Sequence, residues 1–186
     1  MLRSVYRIAT VLVCLCGVLS AVDPEGVWLD VPFVKQEKNG CGAASIAMVM
    51  QFWQRQQQTQ PDAKSDASRI QRTLYSSPAR GIYASDMERY FAENGFRTFA
   101  FTGTRDDLRQ HLDKGRPLIV GLKPGGRAPL HYAVVAGMEP NLVLLNDPAE
   151  RKLLKQEWPS FEKEWKNAGN WTLLAVPQSE GASSAQ

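Results

Sequence analysis

Cysteine and histidine are scarce in this chain, numbering three and two among 186 residues. So few soft ligands leave no convincing metal set, and no organic cofactor is implied either. Long apolar runs are also lacking. The longest, Ile8–Leu19, falls well short of the roughly 20 residues a bilayer span requires, which rules out a multi-span membrane protein. Nor is there an excess of one charge: 22 Lys and Arg face 19 Asp and Glu. Two of those positives, Arg3 and Arg7, lie in a segment read below as removable, so residues 22–186 carry 20 against 19, or +1. No face can then be strongly basic without an acidic one elsewhere, and a nucleic-acid partner has no electrostatic footing. Repeats and heptads are absent. What remains, with 44% hydrophobic residues and balanced charge, suits one folded domain with a single core.

The N-terminus has the pattern of an export signal. Met1–Arg7 carries two arginines and no acid, Ile8–Leu19 is almost continuously apolar, and Ser20-Ala21 offers small residues before Val22-Asp23-Pro24. A basic start, an apolar stretch of this length and a small-residue exit describe a signal peptide over residues 1–21, and hence a secreted or periplasmic bacterial protein. Lipidation at Cys14 or Cys16 is the weaker alternative, because Val13 and Leu15 stand where a small residue is expected. Cleavage near Ala21 removes both of these cysteines and leaves Cys41 alone. An intramolecular disulfide is then impossible. A lone thiol in an oxidising compartment is either buried and inert or kept for chemistry.

The body, residues 22–177, reads as one α+β domain with helices first and a mostly antiparallel sheet after them. Residues 27–36, broken by Pro32, suggest an extended lead-in or edge strand. The run 43–53 (AASIAMVMQFW) predicts a buried helix, 54–66 a polar surface linker, and 67–75 a second helix. Ser85-Asp86-Met87-Glu88 has the form of a capping box opening a helix that Asn94-Gly95 closes. A strand at 96–101, a helix at 104–114, strands at 117–123, 132–138 and 142–145, a short helix near 161–166 and a strand at 171–176 follow. Residues 178–186 read as a flexible tail.

Cys41 falls between Gly40 and Gly42 where a loop enters the first helix. A thiolate there meets unpaired N–H groups and the positive end of the helix dipole, which lowers its pKa. The flanking glycines remove Cβ bulk, so that a substrate carbonyl can approach the sulfur. A structural cysteine fits the same local pattern equally well. A nucleophile needs a base, and only two histidines are available. His111, inside RDDLRQHLDKG, reads as a solvated surface residue; His131 opens the strand HYAVVAGM after a glycine- and proline-rich loop. A hairpin through 139–141 would return the end of LVLLNDPA beside His131, so that Asp147 could orient the imidazole, unless it is simply an Asp-Pro turn residue. Gln36, five residues before Cys41, can donate its side-chain amide to an oxyanion, with the Cys41 N–H as second donor.

Taken together, VPFVKQEKNGCGAASIAMVMQFW and HYAVVAGMEPNLVLLNDPAE resemble the papain-like peptidases that process double-glycine leader peptides of bacteriocins. The resemblance runs from about Val31 to Val176. It implies a papain-like fold with the nucleophile helix packed on an antiparallel sheet. It also implies roles for Gln36 as oxyanion-hole glutamine, Cys41 as nucleophile, His131 as base and Asp147 as orienting acid. The late pair Phe161 and Trp165 is expected to serve packing. Exporter-linked members of that group are N-terminal domains of ABC exporters and often carry Asp before the cysteine. This chain has Gly40 there and an export signal, so the resemblance implies a stand-alone exported cysteine peptidase acting on a peptide or protein. Two other readings stay open. One is an amide hydrolase or transpeptidase acting on glutathione-like or cell-wall peptides. The other is a non-catalytic peptide-binding module on the same scaffold.

Overall fold

Seven strands make one antiparallel sheet, and the computed structural model describes it through residues 26–125 and 128–178. The signal-peptide reading of residues 1–21 lies outside these, as does the tail from residue 179. In chain order the elements are β1 (Val27–Trp28), α1 (Cys41–Gln56), α2 (Ala67–Leu74), α3 (Ala84–Glu93), β2 (Phe96–Thr102), α4 (Arg105–Asp113), β3 (Leu118–Leu122), β4 (His131–Glu139), β5 (Leu142–Asn146), β6 (Leu154–Glu157), α5 (Trp158–Asn167) and β7 (Trp171–Pro177). The strand order is β2-β7-β3-β4-β5-β6, and β1 pairs with the far end of β4. No described helix is long and apolar enough to cross a membrane.

The sheet is covered on both faces. On one, α1 and α3 bury Ile46, Met48, Phe52, Met87 and Phe91 against Val134, Ala136, Leu173 and Ala175. On the other, Leu108 and Leu112 of α4 and Phe161 and Trp165 of α5 pack on Leu118, Val120, Val135 and Leu174. Two apolar cores, one under each layer of helices, take the place of the single one expected. Double coverage also explains why β3, β4 and β5 read as nearly unbroken apolar runs in place of alternating ones. Helix α1 is apolar almost all round because it lies between the sheet and the neighbouring helices.

Several boundaries differ from expectation for identifiable reasons. Only Val27 and Trp28 of the lead-in pair as a strand; beyond Leu29, whose N–H bonds to the Ala136 carbonyl at 2.7 Å, the segment leaves the ladder. Gly137 admits this edge pairing, since a Cβ there would stand 2.6 Å from the Val27 carbonyl oxygen. The polar linker contains a 3-10 turn, Ala63–Ser65, held by reciprocal Asp62–Ser65 capping, with Ser65 fully buried. The capping box at Ser85 does not form: α3 begins at Ala84 behind Tyr83, which gives no side-chain cap. The reciprocal cap appears instead on α4, between Thr104 and Asp107. Strand β6 went unforeseen, because LKQE carries no apolar run. Gln178 belongs to the ordered body, its N–H bonded to the Gly95 carbonyl at 2.8 Å. His111 is half-buried against Phe101, with Nδ1 enclosed and unpartnered among the described residues. Burial, with Arg116 and Lys114 nearby, holds its pKa below the ordinary value. The Phe161 and Trp165 rings lie 5.3 Å apart in the second core, a packing pair.

Candidate active site

Gly40 caps α1 with its backbone alone; no side chain accepts from the first-turn N–H groups, and no acid stands in that turn. The unpaired donors and the positive end of the helix dipole are left to Cys41, the first helical residue. The Gly42 and Tyr132 peptide N–H groups act on its sulfur and lower the thiol pKa. The flanking glycines also allow close packing around the helix start. A Cβ on Gly40 would lie 3.0 Å from the Glu37 carbonyl oxygen of its own turn, and one on Gly42 3.1 Å from Ile82 Cβ. They let the turn and the loop before α3 close around the helix start, and so fix where the sulfur stands.

The β4–β5 hairpin supplies the rest. Val134 is opposite Asn146, so Asp147, the residue after β5, falls level with Ala133, two residues along β4 from His131. His131 Nε2 and Asp147 Oδ1 are 2.9 Å apart. With Nε2 engaged by the carboxylate, the other ring nitrogen is the one left for the Cys41 thiol, and each group shifts the pKa of the other. Asp147 is a turn residue at the same time: its Oδ1 accepts from the Ala149 N–H at 2.8 Å. One carboxylate oxygen therefore contacts His131 and closes the turn.

Electrostatics follow from this chain of contacts. Burial pushes the Cys41 thiol up, but hydrogen bonds from His131 and from the Tyr132 and Gly42 N–H groups, with the imidazolium charge, outweigh it and bring the thiol below its ordinary value. Burial alone would depress His131; the bonds to Asp147 and Cys41 and their negative charge override it and raise the imidazole to about 10. Burial raises Asp147, and His131 with the Ala149 and Glu150 N–H groups more than offsets it. Thiol down and imidazole up are the shifts of a thiolate–imidazolium pair.

Gln36 is held nearby through its backbone, its N–H donating to the Pro148 carbonyl at 2.9 Å. Its side-chain oxygen is buried without a partner, and among the described residues no hydrogen bond joins its side chain to the Cys41–His131–Asp147 chain. Two residues were not anticipated from the sequence as parts of the site. Tyr132, buried and edge-on to Trp171 at 5.4 Å, helps to lower the thiol through its backbone N–H. Its phenol is pushed up to about 12 by burial and by the Cys41 charge. Asn146, fully buried, ties the lead-in segment to β5. The signal for Tyr132 was its place directly after His131; for Asn146, a polar residue closing an apolar strand. Among the described residues no cluster of His, Cys, Asp and Glu could hold a metal ion.

A covered antiparallel sheet, with a cysteine heading the central helix and facing a histidine and an acid on the next strands, is the α+β architecture of papain-like cysteine peptidases. Within that class the chain belongs to the Peptidase_C39 like family, whose sequence model matches residues 28–173. Its fold is similar to a Bacillus anthracis protein described as a C39-like peptidase, with a TM-score of 0.64 and 17% identity over 84% of this chain and 100% of that one. It is similar also to the peptidase domain of Streptococcus ComA, a bifunctional ABC transporter of a quorum-sensing pathway (TM-score 0.60, 22% identity, 78% of this chain and 98% of that one). A double-glycine motif protease from an AMS/PCAT transporter, solved with its leader peptide, gives a TM-score of 0.61 at 20% identity, covering 82% and 95%. No curated protein matches the sequence. Family and fold are those of cysteine peptidases, which hydrolyse peptide bonds.

Proposed function

We propose that this chain is an exported cysteine peptidase working through Cys41, His131 and Asp147, with Gln36 and the Cys41 N–H as oxyanion donors. The observation that carries the reading is that His131 stands 2.9 Å from Asp147 and interacts with Cys41 at the head of α1, with the thiol lowered and the imidazole raised. The thiolate attacks the peptide carbonyl carbon, and the carbonyl electrons collect on oxygen, where the two donors receive them. Imidazolium then gives its proton to the leaving nitrogen as the C–N bond breaks, leaving a thioester on Cys41. His131 next takes a proton from water, which attacks the thioester and releases the acid and the thiolate. Asp147 keeps the imidazole oriented and its cation stabilised throughout. These side chains and water suffice for the sequence of steps. A peptide bound to one related protease supports the substrate class, and the basic, apolar, small-residue order of residues 1–21 supports export.

The test is covalent labelling of the folded protein by a thiol-directed peptidyl probe, with peptide hydrolysis measured in parallel. Cys41→Ser is expected to abolish both. Labelling that persists in the variant, or a wild-type thiol no more reactive than a free cysteine, overturns the assignment.

A further inference from the structure

The lead-in segment and the turn carrying Asp147 come from distant parts of the chain, and one buried side chain fastens them together. Asn146, the last residue of β5, is 0% exposed. Its Nδ2 donates to the Val31 carbonyl at 3.0 Å and to the Pro32 carbonyl at 3.3 Å. Its Oδ1 accepts from the Leu153 N–H at 3.0 Å. This network fixes which end of the amide is nitrogen, since a flipped amide would set oxygen against two carbonyls and NH2 against an N–H. Pro32 has no N–H, and the segment past Leu29 pairs with no strand, so it relies on such side-chain ties. The Leu153 bond closes the base of the Asp147–Leu153 turn, where Leu153 sits in the left-handed region at φ 50°. At the outer side of that turn, the Pro148 carbonyl receives the Gln36 N–H at 2.9 Å. Asn146 thus holds the base of both pieces, and the Gln36–Pro148 bond joins their tips.

We propose that Asn146 is a positioning residue for peptide hydrolysis, locking the segment that carries Gln36 onto the turn that carries Asp147. The proposal rests on the peptidase reading above. One amide would set two distances at once: Gln36 to the oxyanion, and Asp147 to His131. Displacements of about 1 Å at such donors cost on the order of 10²-fold in rate. Substrate binding, which depends on the cleft walls, is less affected, so the loss belongs in kcat more than in KM.

The experiment compares wild type, Asn146→Ala, Gln36→Ala and the double variant, at a temperature where unfolding curves show each to be folded. Two readouts are taken: kcat and KM on a peptide substrate, and the pH dependence of Cys41 alkylation by iodoacetamide, which needs the Cys–His pair and no oxyanion donor. Asn146→Ala is expected to lower kcat about 10²-fold with little change in KM, and to move the alkylation midpoint upward. Gln36→Ala is expected to lower kcat and leave the alkylation midpoint in place. In the double variant the two kcat losses should fall short of their product, because Asn146 acts partly through Gln36. An Asn146→Ala protein with a lower unfolding temperature but wild-type kcat and alkylation profile would overturn the proposal, as would fully multiplicative losses with an unmoved alkylation midpoint. Should the alanine variant not fold, Asn146→Asp serves: turnover relative to wild type should rise as pH falls, since only a protonated carboxyl can donate to the Val31 or Pro32 carbonyl. A flat ratio across pH counts against the proposal. Failure of the peptidase reading itself shows separately, as an ordinary thiol and no turnover in wild type.

Discussion

Asp147 serves two partners with one carboxylate, and this makes its charge separable from its turn. Replacing it with asparagine keeps an oxygen that can accept from Ala149 and removes the negative charge beside His131. The signs follow directly. The carboxylate favours imidazolium and holds the imidazole at about 10, so without the charge that value falls toward the ordinary one near 6.5. Leaving-group protonation needs imidazolium, hence the alkaline limb of the pH–rate profile moves down. A weaker imidazolium at neutral pH stabilises the thiolate less, so the acid limb moves up. Asp147→Asn is expected to narrow the profile of kcat/KM from both sides, as seen by measuring it from pH 4 to 11 in both proteins. Both limbs belong to the coupled pair and not to one residue. Limbs that stay in place would reduce Asp147 to a turn residue. At this scale the sequence was informative where residue type and chain position coincided: a cysteine between glycines at a helix start, a histidine at a strand start, an acid one hairpin later. Tyr132 is marked only by its place directly after His131, because a backbone N–H leaves no trace in residue type.

Elements were legible when their burial was complete and illegible when tertiary contacts overrode local signals. Strands β3, β4 and β5 are apolar throughout because both their faces are covered, so an unaided reading finds them. Strand β6 is an edge element whose Leu154-Lys155-Gln156-Glu157 alternates half-buried with exposed and resembles a loop. The helix starts show the same division. Ser85 and Thr104 both head capping-box patterns, yet only Thr104 caps, its Oγ1 accepting from the Asp107 N–H at 3.2 Å. Ser85 misses because α3 begins one residue earlier, at Ala84. Tyr83 in extended conformation directly follows Ile82, whose side chain is buried beneath Gly42 and fixes the register of that turn. The two patterns should then differ in stability. Thr104→Ala is expected to cost about 1 kcal/mol, and Ser85→Ala to stay within about 0.5 kcal/mol of wild type. Urea unfolding at 25 °C measures both, and equal losses would mean that the Ser85 cap forms after all.

Taken whole, the molecule divides its work between the two faces of one sheet. The core under α1 also sets where Cys41 stands, since that residue heads the helix and packs at the edge of this cluster. His131 and Asp147 are carried by the sheet instead. The reactive pair therefore straddles the interface between helix and sheet, and its geometry depends on how α1 sits on β4. The opposite core lies under α4 and α5, across the sheet from α1. This division was not visible in the sequence, because which face an apolar residue covers is decided by contacts far along the chain. It predicts that two cavities of similar cost have different chemical consequences. Met48 and Leu112 are both essentially unexposed, one in each core. Truncating either to alanine removes comparable apolar volume and should cost about 2–5 kcal/mol. Met48→Ala lets α1 settle toward the sheet and shift its first turn, so the thiol pKa of Cys41, read from the pH dependence of alkylation, is expected to rise toward that of His131→Ala. Leu112→Ala should destabilise the protein by a similar amount in urea while leaving the alkylation profile where it is in wild type. Should both variants move the profile equally, the two cores act as one, and the reactive pair reports global stability instead of the seating of a single helix.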